Sequence, residues 1–204
     1  MLFDDNYRSI DKVSKGLYKE KGSKFISLAI PVMSETEVND QLKVVRKEYY
    51  DANHHCYAYR LGFDKMTYRH SDDREPSGTA GRPIFGQIQS FDLTNVLVVV
   101  IRYFGGTKLG VSGLINAYRE AAREALLDAQ IIEKSVYEIY TLEYEYESVN
   151  EVMRIMKICD VKQIEGTYSD RCQLKISVRK NEALRFIEEI KKVKNLSYRY
   201  LQNR

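Results

Sequence analysis

Apolar residues follow two different periods along the first two thirds of the chain, which predicts alternating strands and helices. Phe25–Val32 and Asn95–Tyr103 are apolar runs of strand length, and the second is typical of a strand covered on both faces. Ser34 and Glu37 have the spacing of a capping box, in which the serine oxygen and the glutamate satisfy amides of the first helical turn. Apolar positions at helical spacing predict helices that begin near Ser34, Pro83 and Leu114.

Between these elements the chain is polar or rich in glycine. Cys56–Arg60 predicts a short strand, and residues 64–80 show no apolar period and predict a polar loop. Seven of the eleven glycines lie between residues 76 and 113. Ser112 is predicted to be the N-cap of the long helix that follows.

The last third of the chain alternates more regularly. Tyr140, Leu142, Tyr144 and Tyr146 alternate with polar residues, which predicts a strand with one wet face and its tyrosines in the core. The same reasoning predicts a helix near 149–156, strands near 160–168 and 172–179, a helix at about 181–192 and a strand at 196–201.

These elements predict an α+β protein of two domains. The order β-α-β-β-α-β in the last third is that of the ferredoxin-like split βαβ fold. A change of composition near residues 131–137 predicts a boundary, with domains at 1–134 and 135–204. With 204 residues, 44% of them hydrophobic, the chain can bury a core, which excludes a disordered or low-complexity protein.

The composition also predicts a location. No stretch approaches the roughly 20 apolar residues of a membrane helix. The opening residues MLFDDNYRSI lack the basic start of a signal peptide. Three widely spaced cysteines, Cys56, Cys159 and Cys172, fit a reducing compartment. We therefore expect a cytoplasmic protein without a membrane partner.

Charge is unevenly distributed, although the net charge of +3 is too small to indicate a partner. Residues 171–204 hold ten basic and three acidic residues, and between residues 12 and 24 five lysines stand against one glutamate. Two interpretations remain open: a footprint for an acidic polymer, or solvated faces whose charges partly cancel in the fold.

A glycine loop follows the apolar strand that ends at Tyr103. A glycine turn feeding a helix start exposes amides and the positive end of the helix dipole, which predicts a phosphate site at Gly105 and Gly106 with Arg102 and Lys108. The loop is not a Walker A motif, because Val and Ser stand where Lys and Ser/Thr are required. The alternative is a tight connection whose glycines only allow positive φ.

A second loop of small residues, 71–81, precedes the helix near Pro83. Its acids Asp72, Asp73 and Glu75 suit a hard cation or a general acid and base. The alternative is a solvated turn. Its exposed hydroxyls, glycine and arginines add to the predicted phosphate site through Arg74, Ser77, Gly78, Thr79 and Arg82.

Other constellations predict no metal and no catalytic residue. His54 and Cys56 lie on one face of a strand and can share a ligand, but the four-donor spacing of a zinc site is absent. Nothing specifically pairs Cys56 as a nucleophile. Ser112 is followed too soon by glycine for a nucleophile elbow.

Three motifs together resemble the YigZ/IMPACT family in order and spacing: His54-His55-Cys56-Tyr57-Ala58-Tyr59, Ser71 to Pro83 and Val99 to Gly110. The resemblance covers about residues 15–130, and the last third is similar to the second domain of the bacterial members. It implies a ribosomal protein S5 domain 2-like fold followed by a ferredoxin-like one, akin to domains IV and V of elongation factor G. Eukaryotic relatives restrain an initiation-factor kinase by competing for its activator, but they carry a different second domain.

The resemblance and the loops lead to a hypothesis of a non-catalytic protein, without cofactor, that binds RNA or the ribosome and acts in translation regulation. Phosphate contacts position a nucleic acid without reading its sequence, which fits the lack of a base-reading motif. The alternatives are an enzyme acting on a small phosphorylated substrate through Asp72, Asp73 or Glu75, and a protein-interaction module with a translation-related protein as partner.

Overall fold

The chain, described from residue 5 to residue 203 in a computed structural model, folds as two units. One unit is Arg8–Lys134, and the other consists of residues 5–7 and 135–203. The eleven strands of the described residues are β1 (Asn6–Ile10), β2 (Ser14–Glu20), β3 (Ser23–Pro31), β4 (His54–Leu61), β5 (Thr67–Ser71), β6 (Val96–Tyr103), β7 (Ile131–Ser135), β8 (Tyr137–Glu145), β9 (Lys162–Thr167), β10 (Arg171–Arg179) and β11 (Ser197–Asn203). The five α-helices between residues 5 and 203 are α1 (Glu35–Glu48), α2 (Gly81–Ser90), α3 (Gly110–Leu127), α4 (Val149–Ile158) and α5 (Lys180–Ile190).

The first unit has three layers, with one sheet between helices. The sheet has the order β2-β3-β6-β4-β5, and every neighbouring pair is antiparallel. Helix α1 covers one face, where it meets Leu97, Val99 and Ile101 of β6. Helices α2 and α3 cover the other face, where they meet the alternate residues Val98 and Val100. The prediction that this apolar run is covered on both faces is confirmed.

The start of α1 follows the predicted capping box with one difference. The amide of Glu37 donates to Oγ of Ser34 at 3.2 Å. The Glu37 carboxylate reaches back to the amide of Met33 at 2.8 Å, one residue before the cap. Val38 and Leu42 then face the sheet and are buried, because residues four apart lie on one side of a helix.

Several features differ from the sequence-based expectations. Strand β5 lies inside the predicted polar loop and pairs with β4 alone, at the edge of the sheet. Since most of its side chains are exposed, it has no apolar period to reveal it. Ser112 is not an N-cap, because α3 begins at Gly110 and Leu109 occupies the cap position. Strand β2 and the two-stranded sheet of β1 and β7 also had no counterpart in the predicted elements.

The second unit has the predicted order β-α-β-β-α-β. Its sheet has the order β11-β8-β10-β9 with antiparallel neighbours. Helices α4 and α5 bury their apolar faces with Leu142 and Leu174 of the sheet. Tyr140 and Tyr144 are buried as predicted. Tyr146 is 61% exposed, contrary to the prediction, because the strand ends at Glu145 and its alternation no longer applies.

Two structural features relate to the cellular location predicted from the sequence: the state of the cysteines and the character of the helices. All three cysteines are unpaired and buried. Between residues 5 and 203, no helix combines the length and the apolar character that crossing a bilayer requires.

Candidate functional site

The acidic loop 71–81 and strand β6 meet in a buried ion pair. Nη1 of Arg102 donates to Oε1 of Glu75 at 2.5 Å, and the two side chains are 6% and 4% exposed. The same oxygen accepts the hydroxyl of Tyr118 from α3 at 2.7 Å. Nε2 of His54, at the start of β4, lies 3.8 Å from it. Glu75 is thus surrounded by groups from two strands and a helix.

The guanidinium of Arg102 has further neighbours within the same unit. Its Nη2 donates to Oγ of Ser23 at 3.4 Å. Its guanidinium carbon lies 5.4 Å from the ring centre of Phe25 and 5.5 Å from that of Phe104. The assignment of Arg102 to a phosphate site therefore needs correction, because this side chain is buried and neutralises an internal carboxylate.

The carboxylate of Asp72 lies at the N-terminal end of helix α2, although Asp72 itself belongs to the preceding loop. Its carboxylate accepts the amides of Gly78 at 2.8 Å, Ala80 at 2.9 Å and Gly81 at 2.8 Å. Burial raises the pKa of Asp72, but these three hydrogen bonds outweigh it and hold the pKa below its ordinary value. An internal negative charge already lies at this helix end, so the amide of Gly78 is not a phosphate ligand.

Asp73 and the histidine–cysteine segment hold the loop against β4. Oδ2 of Asp73 accepts the amide of His55 at 2.7 Å. Nδ1 of His54 donates to the carbonyl oxygen of Asp73 at 2.8 Å, and Sγ of Cys56 donates to that of Asp72 at 3.1 Å. His54 and Cys56 lie on the same face of the strand, as expected, and both donate hydrogen bonds to backbone carbonyl groups of this loop.

The acids of the loop do not converge on a cation. Asp72, Asp73 and Glu75 each bind different internal donors. Among residues 5–203, no three side chains of His, Cys, Asp or Glu are grouped to hold a metal ion. Burial raises the pKa of the Cys56 thiol well above its ordinary value, which disfavours the reactive thiolate. The contacts give these residues a structural role.

The two loop glycines are required for different reasons. The Gly105 amide donates to Oγ of Ser23 at 3.2 Å. A Cβ on Gly105 would collide with the backbone of Gly22 and Ser23. Gly106 has a φ of +86° and open space where a Cβ would stand. The amide of Gly105 is therefore used internally, and Gly106 remains on the surface.

Thr79 is the last correction to the predicted phosphate site. It is buried, and its hydroxyl donates to the carbonyl oxygen of Pro76 at 2.6 Å. The predicted residues that are exposed form what we call the exposed rim, leaving out Gly105, whose amide is bonded internally: Arg74, Ser77, Arg82, Gly106 and Lys108.

Asn53 connects the two loops that carry the exposed rim. Its carbonyl oxygen accepts from Arg74 at 3.3 Å, and its side-chain oxygen accepts the amide of Phe104 at 2.8 Å. The ring of Phe104 is 47% exposed. In the described part of the chain, Arg74, Arg82 and Lys108 form no ion pair.

A surface groove beside Arg82 was not predicted. It lies between α2 and α3 and is lined by Gly78, Arg82, Pro83, Gly86, Gln87, Ile115 and Arg119. The helical period of α3 places Arg119 on the outer side of the helix, and the sequence indicates nothing more about it. Its position beside Arg82 depends on the packing of two helices, which no local pattern reports.

Comparison with known proteins identifies the family. The model of the Impact N-terminal domain matches residues 21–126. IMPACT family member YigZ of Escherichia coli K12 is 32% identical over 160 residues, which are 78% of this chain and 78% of that protein. IMPACT family member YvyE of Bacillus subtilis 168 is 30% identical over 173 residues, or 85% and 80% of the two chains.

The likeness extends to a solved structure. The crystal structure of a hypothetical protein matches with a TM-score of 0.72 and 27% sequence identity, over 98% of each chain. The mixed α/β fold is therefore shared along both units. The match to the Impact N-terminal domain, together with the identity to YigZ over most of both chains, shows that the chain belongs to the IMPACT family.

Proposed function

We propose that this protein binds RNA or a ribosomal surface, acts in translation or its regulation, and catalyses no reaction. The observation that carries the proposal is that the acidic and the basic side chains of the two loops have different surroundings. The acids that suit chemistry have internal partners, a cation for Glu75 and backbone amides for Asp72, whereas the cations of the exposed rim have no acidic partner among residues 5–203.

The inward groups are poorly placed for catalysis. A general acid or base has to come within hydrogen-bond reach of a substrate proton. Glu75 is 4% exposed, and its Oε1 already accepts from Arg102 and Tyr118. Three backbone amides bind the carboxylate of Asp72 at the start of a helix and favour its ionised form. These contacts favour a scaffold that fixes the shape of the loops over an active site.

The outward groups suit a phosphate backbone. Arg74, Arg82 and Lys108 supply charge, Ser77 a hydroxyl and Gly106 an unobstructed surface. The exposed ring of Phe104 offers a stacking surface next to them. Contacts of this kind bind and orient a nucleic acid without reading its bases.

The fold supports the ribosome as the place of action. The order β-α-β-β-α-β and the sheet order of the second unit favour a ferredoxin-like fold. We assign the first unit to the ribosomal protein S5 domain 2-like fold. Both resemble domains of elongation factor G, and this likeness, as an analogy of fold, supports a partner in the translation machinery.

A salt titration of RNA binding tests the proposal. Each phosphate neutralised on a single strand contributes about −0.7 to the slope of log K against log salt, so the three rim cations together contribute about −2. Lys108→Ala should flatten the slope by about 0.7 and leave sequence preference unchanged. Lys157→Ala, at an exposed site in α4 of the other unit, serves as the matched control. No detectable binding by the parent at about 100 μM protein, the weak end of non-specific affinity, would refute the proposal.

A further inference from the structure

A second cationic surface lies on strands β2 and β3. Ser14 and Gly16 of β2 face helix α3: Oγ of Ser14 donates to the carbonyl oxygen of Ala125 at 2.7 Å, and Gly16 packs on the Ala125 amide. Because side chains alternate along a strand, Lys15, Leu17 and Lys19 point to the opposite face. We call the exposed and half-buried residues there the lysine face: Lys15, Leu17, Lys19, Lys24, Ile26 and Tyr103.

The register of the sheet places like charges together. Lys19 lies directly opposite Lys24, and Lys24 lies opposite Tyr103 of β6. Like charges in directly opposite positions destabilise an antiparallel pair. Within residues 5–203, Lys15, Lys19 and Lys24 form no ion pair that would relieve this repulsion.

Two acids beside the lysine face hydrogen-bond to tyrosines. Glu20 lies on the α3 side of the strand, where its carboxylate accepts the hydroxyl of Tyr18 at 3.2 Å. Asp51, at the margin, accepts the hydroxyl of Tyr103 at 2.8 Å. The repulsion between Lys19 and Lys24 reduces the stability of the fold, and the two acids beside them bind tyrosine hydroxyls instead. The lysine face therefore presents unpaired positive charge, which points to an external polyanion.

Apolar side chains separate the lysines. Leu17 is 49% exposed, and Ile26, directly opposite, is half-buried with Tyr103. Helix α1 covers Leu28 and Ile101 farther along the same face but leaves this end open. Proteins that bind single strands without sequence preference combine such features, cations for the backbone and apolar or aromatic surfaces for the bases.

A sheet face and a sheet edge suit different partners. Peptides are commonly recognised by adding a strand to a free sheet edge. Strand β2 is an edge strand and has such an edge, but the lysine face is a face of the sheet. The face itself offers side-chain charge and apolar surface, which suit the phosphates and bases of a nucleic acid.

The lysine face also continues into the glycine loop. The turn between β2 and β3 contains Lys21 and Gly22, and Gly105 lies against the backbone of Gly22. One strand of nucleic acid can follow this path toward Gly106 and Lys108. We propose that the lysine face binds the backbone of single-stranded RNA, an inference that rests on the RNA-binding function proposed above and adds a second surface to it.

The test uses the full-length protein and a fluorescein-labelled single-stranded oligouridine. The parent is compared with Lys19→Gln/Lys24→Gln and with a control of equal charge, Lys157→Gln/Lys194→Gln, at two exposed lysines of the second unit. The lysine-face variant should flatten the slope of log K against log salt by about 1.4, from two lost phosphate contacts. The control should leave the slope unchanged. Thermal unfolding of the lysine-face variant should occur at the same or a higher temperature, because a like-charge pair is removed.

The outcomes separate the two proposals. If the parent binds and Lys108→Ala weakens binding, but the lysine-face variant matches the parent, the lysine face is refuted and the proposed function stands. If the lysine-face variant and the control lose the same RNA affinity, the binding depends on the net charge of the protein and not on this surface, which also refutes the lysine face. Poly-L-glutamate that displaces the RNA from the parent, and whose binding shows the same loss in the variant, would assign the surface to an acidic protein. A parent that binds no RNA refutes both proposals.

Discussion

Glu75 and Arg102 form an ion pair at 2.5 Å in the interior of the first unit, although 27 residues separate them in sequence. Glu75 belongs to the loop before α2, and Arg102 lies near the end of β6. The pair therefore connects two of the motifs by which the chain resembles its family. It fixes the position of both loops, and through them the geometry of the exposed rim.

Glu75→Gln should strongly destabilise the first unit. Removing one partner of a buried ion pair leaves an uncompensated charge and typically costs about 3–5 kcal/mol. Urea unfolding followed by circular dichroism measures this loss. Glu133→Gln, at an exposed glutamate of β7, should change the free energy of unfolding by less than about 0.5 kcal/mol. A loss below about 1 kcal/mol for Glu75→Gln would contradict the structural role of the pair.

Asp72→Asn should reduce stability near neutral pH and weaken its dependence on acid. The pKa of Asp72 is lower in the folded protein than in the unfolded chain, where it is about 3.9. Its stabilising contribution is thus complete above that pH and is lost as the pH falls through the lower folded value. By analogy with a lost N-cap we expect a cost of about 1–2 kcal/mol at pH 7.

The check on Asp72 is a series of urea titrations between neutral and strongly acidic pH. Parent and Asp72→Asn should converge at the acidic end, because the parent carboxyl is protonated there. Asp128→Asn, at the exposed end of α3, should follow the parent throughout. A constant gap between parent and Asp72→Asn at every pH would contradict the role of the ionised carboxylate.

Gly105→Ala should cost more than Gly106→Ala. At Gly105 a Cβ meets two backbone segments that have to move, and overpacking of this kind costs about 3 kcal/mol or more. At Gly106 the space is open, and only the positive φ is penalised, by about 1–2 kcal/mol. Gly86→Ala, at an open site within α2, should raise stability by about 0.5–1 kcal/mol. The reverse order of the two loop variants in thermal unfolding would count against this account of the loop.

Cys56 should be inert in the native protein. Burial raises the pKa of its thiol, and Sγ donates to the carbonyl oxygen of Asp72. Ellman's reagent at pH 8 should therefore label no thiol until denaturant is added, and then all three. After denaturation, the Cys56→Ser variant should react with the reagent at two thiols. Rapid labelling of Cys56 in the folded protein would return it to the candidates for a nucleophile.

Residues 8–134, expressed alone, should fold cooperatively. Both apolar clusters that pack on the sheet, one under α1 and one under α2 and α3, lie within this segment. A single urea transition by circular dichroism and by tyrosine fluorescence is the expected result. An unfolded fragment beside a stable full-length protein would show that the unit depends on the rest of the chain.

Local periodicity determined much of the fold. The apolar run of β6 and the helical spacing of α1 and α3 were readable because burial of one face imposes a period on the sequence itself. The alternation of the last third predicted its order of elements for the same reason. The motifs also identified the family. Strand β5 escaped prediction because an exposed edge strand is held by backbone hydrogen bonds, which any side chain allows.

The tertiary structure decided what the polar residues do. The same sequence rules allowed Arg102 to bind phosphate and Asp72 to bind a cation, and both have internal partners. Whether a charged side chain is free depends on groups brought near it from distant parts of the chain. The opposition of Lys19 and Lys24 likewise depends on the register across the turn, and the occupied acids beside them depend on folding. The sequence of a segment shows how often its residues are buried. Which charges pair depends on the distances between them, and only the folded chain sets those distances.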